Sequence, residues 1–135
     1  MFKQHGAFQV ISDDQILMSE FEGPWNLELG LSWMKAIEPV AKMLAAQGPF
    51  ASLTVIRSSA LTSPETLALL RKSIVVGKEM GLVADAHVIA KEVEGSYLAS
   101  RIYAPVFEGL IPHQCFESYD EAKTWLLAQL APKLA

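Results

Sequence analysis

Short β-rich runs and longer helical patterns alternate along this chain, and most changes of pattern coincide with a glycine, a proline or a capping side chain. Residues 7–12 and 15–21 are two apolar-rich runs separated by Asp13-Asp14, the spacing of a hairpin. After Gly23-Pro24 the period becomes helical. Asn26 stands as N-cap, Leu27, Leu31, Met34, Ile37, Ala41 and Leu44 share one face, and Gly48-Pro49 ends the pattern. Pro39 lies inside it, so the helix is expected either to kink there or to restart at that point. Residues 50–57 form a β-rich run, followed by a Ser58-Ser59-Ala60-Leu61-Thr62 loop. Ser63-Pro64-Glu65 then supplies the cap, first and second positions of a helix carrying Leu67, Leu70, Ile74 and Gly77. Gly81 has the character of a left-handed helix end. A strand is expected over 86–91, a helix over 95–109 interrupted by Pro105, and a last strand over 113–117. Ser118-Tyr119-Asp120-Glu121 has the spacing of a capping box in which each side chain serves the other's backbone donor. The closing helix runs through Trp125, Leu126 and Leu130. This order implies an α/β fold with parallel crossovers, without internal repeat or linker.

A chain of 135 residues suits a single domain with a core that needs neither disulfide nor metal. Apolar residues make up 51% and charged residues 19%, so some apolar surface must be covered beyond what one sheet face requires. The net charge of −4 and the absence of a Lys/Arg run argue against nucleic acid as a partner. Cys115 is the only cysteine, which excludes an intrachain disulfide and a cysteine-built zinc site. The opening Met1-Phe2-Lys3-Gln4-His5-Gly6 lacks an apolar signal core, and no run is long enough to span a bilayer. A cytoplasmic protein is expected, with any membrane contact peripheral.

No catalytic constellation, metal site or cofactor motif emerges. His5, His87 and His113 are widely spaced, although the last two fall on expected strands that can approach each other. Cys115 shares a face with His113, since strand side chains alternate. The pair lacks an oxyanion hole or a third member, so a buried structural thiol is expected. Asp13-Asp14 and Asp120-Glu121 are explained by turn and cap chemistry. Gly77, Gly81, Gly95 and Gly109 stand alone and form no phosphate loop. An enzyme is not expected.

Two helices are apolar on more than one face. The first carries a second stripe of Leu29, Trp33, Ala36, Val40 and Met43, and the helix after Ser63 adds Leu69, Val76 and Met80. Neighbouring helices can cover such stripes, as can a second copy in a homodimer, where aromatic residues and methionine are favoured. The third occupant is an apolar ligand or membrane surface, with Trp25, Trp33, Met34 and Met43 lining an adaptable groove.

Three segments carry a family resemblance: Gly23-Pro24-Trp25-Asn26, the joint at Ser63-Pro64-Glu65, and the run from Cys115-Phe116-Glu117-Ser118 through Asp120-Glu121-Ala122 to Trp125-Leu126. Together they resemble the SpoIIAA-like branch of the STAS (sulfate-transporter and anti-sigma-factor-antagonist) superfamily. The resemblance implies one small mixed sheet of about five strands with about four helices. It also implies a role in protein recognition or in binding nucleotide or lipid-like ligands. In anti-sigma-factor antagonists a regulatory serine lies in an Asp-Ser-Ser/Thr-Gly pattern. Arg57-Ser58-Ser59-Ala60 matches it without the aspartate or the glycine, and Ser63 is the closer counterpart by position. Ser63, Ser58 and Ser59 are thus the candidate phosphosite or anion-site residues, with an ordinary helix cap the stronger reading of Ser63. The expected function is a regulatory docking module, homodimeric and non-enzymatic, with a carrier or sensor of a small apolar or anionic ligand as the alternative.

Overall fold

The computed structural model describes residues 7–23 and 25–134. The leader reading of the first six residues, His5 and Pro24 lie outside them. Ten elements follow the expected order: β1 (Ala7–Asp13), β2 (Ile16–Glu22), α1 (Leu27–Gln47), β3 (Phe50–Ile56), α2 (Pro64–Met80), β4 (Leu82–Ile89), a 3₁₀ turn (Ser96–Leu98), α3 (Ala99–Phe107), β5 (His113–Phe116) and α4 (Tyr119–Leu134). The five strands form one sheet in the order β1-β2-β3-β4-β5. β1 is antiparallel to β2, and every other neighbouring pair is parallel. The fold is therefore α/β with a mixed five-stranded sheet and four helices.

Strand alternation sends successive side chains to opposite faces, and each face has its own cover. On one, Leu17, Phe21, Phe50, Ile56, Leu82 and Ile89 pack beneath α1, α2 and α3. On the other, Ile16, Ala51, Leu53, Ala84, Ala86 and Val88 meet α4, through Ala122, Leu126 and Leu130 at four-residue spacing. The sheet alanines let α4 approach closely, and full burial of a leucine such as Leu126 contributes about 1.5–3 kcal/mol. α1 and α2 also cross closely: a Cβ on Gly30 would stand 3.0 Å from the Leu69 side chain.

The caps form largely as expected. The Asn26 and Ser63 side chains accept from the backbone N–H groups of Leu29 and Thr66, and Gly81 closes α2 at φ +118°. α1 continues through Pro39 as one helix. Four details differ. β4 begins at Leu82, four residues before the expected start, because Gly81 turns the chain directly onto the sheet and its carbonyl accepts from Phe50 N. The inward face of α1 is also rotated. Leu29 and Trp33 are buried, whereas Leu27 and Leu31 are 41% and 51% exposed, since the larger indole takes the sheet-facing position and donates to Ser19 Oγ at 2.8 Å. A 3₁₀ turn leads into α3 in place of a helix from Gly95, and Pro105 is accommodated within α3. In the closing capping box Ser118 Oγ accepts from Glu121 N, but the Glu121 carboxylate receives the Ser118 hydroxyl at 3.2 Å and not its backbone N–H.

Candidate functional site

The parallel register builds a band of polar side chains across the face covered by α1, α2 and α3. One rung pairs Leu17 with Ser52, Ser52 with Asp85, and Asp85 with His113; the next pairs Ser19 with Thr54, Thr54 with His87, and His87 with Cys115. Ser19, Ser52, Thr54, Asp85 and His87 are all buried. Burying such groups is costly unless they bond to one another. Ser19 Oγ accepts from Trp33 Nε1, and the Ser52 hydroxyl donates to Asp85 Oδ2 through a short bond. Asp85 Oδ1 lies 3.0 Å from His87 Nδ1, and that same nitrogen lies 3.0 Å from His113 Nε2.

Both rings are held by aromatic packing. His87 stacks on Tyr103 at 4.6 Å between centroids, and His113 lies almost parallel to Phe107 at 4.1 Å. α3 is fixed in turn by Arg71 of α2, which donates to the carbonyls of Val106 and Glu108 at the end of that helix. Burial, reinforced by the neighbouring His87, lowers the His113 pKa to about 4, so its ring is neutral at physiological pH. Burial raises the Cys115 thiol to about 11, which favours the protonated thiol over the thiolate. Tyr103 is likewise raised by burial, and its hydroxyl donates to the Ala60 carbonyl.

The polar band floors a cavity of about 480 Å³ between the sheet and the α1–α2 pair. Ser19, Ser52, Thr54 and Asp85 contribute from below, Trp33, Met34, Ile37 and Ala41 from α1, and Leu70, Ile74 and Met80 from α2. Lys35, Glu38 and Lys42 also line it, and all three are exposed. Apolar walls with a few convergent polar groups are what a small-molecule site requires. A depression of about 490 Å³ on the opposite side, at the ends of β3 and β4, has only exposed charges, Arg57, Glu92 and Glu117, and no buried polar group opens into it.

Of the four residues expected to line a groove, Trp33 and Met34 do so. Trp25 is instead buried against Phe21 and Trp33, and Met43 is 45% exposed away from the cavity. The three serines do not converge on one site. Ser58 Oγ accepts from Gly23 N, Ser59 Oγ from Leu61 N, and Ser63 caps α2 while contacting Thr66 Oγ1 at 2.8 Å. Ser19, Ser52, Thr54 and Asp85 are the floor residues that sequence reasoning missed. The available signal was local: Asp85-x-His87 on a strand places an acid and an imidazole on the same face. Comparison with protein-family models, with curated proteins and with solved structures finds no match to this chain.

Proposed function

We propose that this chain is a binding protein, a carrier or sensor that holds a small, largely apolar molecule between α1 and α2. The supporting observation is the cavity of about 480 Å³, whose apolar walls meet a hydrogen-bonding floor at Ser52, Thr54 and Asp85. The occupant suited to it has a chain or ring for the walls and a polar head that bonds to the floor. Met34 and Met80 adapt readily to such a shape. A SpoIIAA-like affiliation agrees with this reading, since lipid-like and nucleotide ligands are among those the resemblance implies.

Native mass spectrometry of gently purified protein tests the proposal. A reproducible adduct of lipid or metabolite size is expected, and it should disappear in Ala41→Phe, which fills the cavity from α1. An adduct that survives Ala41→Phe in a folded protein, or the absence of any adduct together with no saturable quenching of tryptophan by apolar probes, overturns it. A second reading, a regulatory docking module that homodimerises, is supported by Leu27 and Leu31. They are exposed one turn apart on α1, with Glu28, Ser32 and Lys35 around them. The same spectrum reads the subunit count, and Leu31→Glu would dissociate a dimer built on that patch.

A further inference from the structure

His87 Nδ1 is within 3.0 Å of both Asp85 Oδ1 and His113 Nε2, yet it can carry only one proton. In the hydrogen-bonded state that proton is shared between two acceptors or one contact lacks a donor. The third side of the triangle, Asp85 Oδ1 to His113 Nε2, is 3.6 Å. A circle through three atoms at these separations has a radius of about 1.9 Å, while zinc binds imidazole nitrogen and carboxylate oxygen at about 2.0–2.2 Å. A cation about 1 Å above the triangle is therefore within bonding distance of all three atoms.

The surroundings are those of a coordinating set. Each residue offers one ligand atom, and the three atoms lie within 4.8 Å of one another. Ser52 holds the second carboxylate oxygen, Tyr103 and Phe107 fix the His87 ring, and Phe107 stacks on His113. The Asp85 and His113 side chains are 3% and 5% exposed. Among the described residues, no lysine or arginine forms an ion pair with Asp85. A divalent cation supplies the positive charge that a carboxylate at this depth requires. Asp85 also borders the α1–α2 cavity, which provides a way in.

We propose that Asp85, His87 and His113 bind one divalent transition-metal cation of the zinc type. Two imidazoles and one carboxylate favour such an ion over magnesium or calcium, which take oxygen ligands. Three protein ligands leave a fourth position for water or for a donor group from the cavity. The site does not depend on the carrier reading, because its three ligands come from β4 and β5 and not from the helices that wall the cavity.

The test uses the full chain without a histidine tag, stripped with chelator and titrated with Co²⁺ as a spectroscopic stand-in for zinc. Visible d–d bands that saturate at one equivalent and are displaced by Zn²⁺ are expected. Asp85→Asn and His113→Gln should each weaken binding by at least about 100-fold, while His5→Ala leaves it unchanged. No saturation at one equivalent, retained binding in both site variants, or loss in His5→Ala overturns the proposal. Should the site variants fail to fold, ¹⁵N shifts of the wild-type histidine rings decide. Zn²⁺ must move the Nδ1 of His87 and the Nε2 of His113, and unshifted rings overturn the proposal.

Discussion

The two faces of the sheet are made by the same strands, residue by alternating residue, yet they solve different problems. Beneath α4, β3 and β4 present Ala51, Leu53, Val55, Ala84, Ala86 and Val88, the apolar run expected of parallel strands buried on both sides. Facing α1, α2 and α3, the intervening positions are Ser52, Thr54, Asp85 and His87. Aliphatic side chains there would stabilise the sheet at least as well and would not require three helices, a stacked pair of rings and a hydroxyl to hold them. The α4 face is built for stability. The other keeps a polar floor and a cavity that stability does not call for, the feature on which the proposed binding role rests.

The largest effect is expected from cutting into the α4 face. Leu126→Ala removes a fully buried side chain from a layer with a single covering helix, and a loss of about 2–5 kcal/mol is expected in denaturant unfolding. A loss below about 1 kcal/mol would show that α4 repacks freely and that this face is not the rigid half of the comparison.

Ser52→Ala probes the other half. It deletes the donor to Asp85 Oδ2 and leaves a buried carboxylate oxygen short of a partner, at an expected cost of about 1–3 kcal/mol. That is less than the leucine truncation, although Ser52 sits at the centre of the sheet. If unfolding is unchanged, water from the cavity replaces the hydroxyl, and the band is wetter than its burial implies.

The contrast between faces was only partly legible in the sequence. The order of elements was legible because three of the four helices are punctuated locally: Asn26, Ser63 and Ser118 cap the starts, and Gly48 and Gly81 mark two of the ends. The site was legible only in part: Asp85-x-His87 is a local pattern, whereas Asp85 and His113 meet only through the parallel pairing of β4 with β5. Asp85 also obscured its own strand. An acid within an apolar run argues against a buried strand, and the expected start at residue 86 fell just after it. Helical spacing did pick out Trp33 and Met34, which line the cavity. It could not separate them from Met43, because the inward face of α1 is set by Trp33 reaching Ser19.

The smallest effect sharpens the comparison at its rim. On the α4 side Asp13 Oδ2 accepts from the Tyr119 hydroxyl and, at 2.9 Å, from Lys123 Nζ, tying the β1–β2 turn to the start of α4. The hydrogen bond from Tyr119, then that from Lys123, holds the Asp13 pKa below its usual 3.8. A carboxyl lowered on folding contributes stability that is present above its unfolded pKa and is lost as the pH falls through the folded value. The Asp13 side chain is about one-third exposed, so solvent screening limits the contribution to less than about 1 kcal/mol. Asp13→Asn is expected to be less stable than the parent at neutral pH by that small margin, and the gap should close as the pH drops below 3.8. A gap that persists in acid would mean that Asp13 acts through shape and neutral hydrogen bonding. The charge on Asp13 would then add no stability to the α4 side, in contrast to the buried carboxylate of Asp85 on the other face.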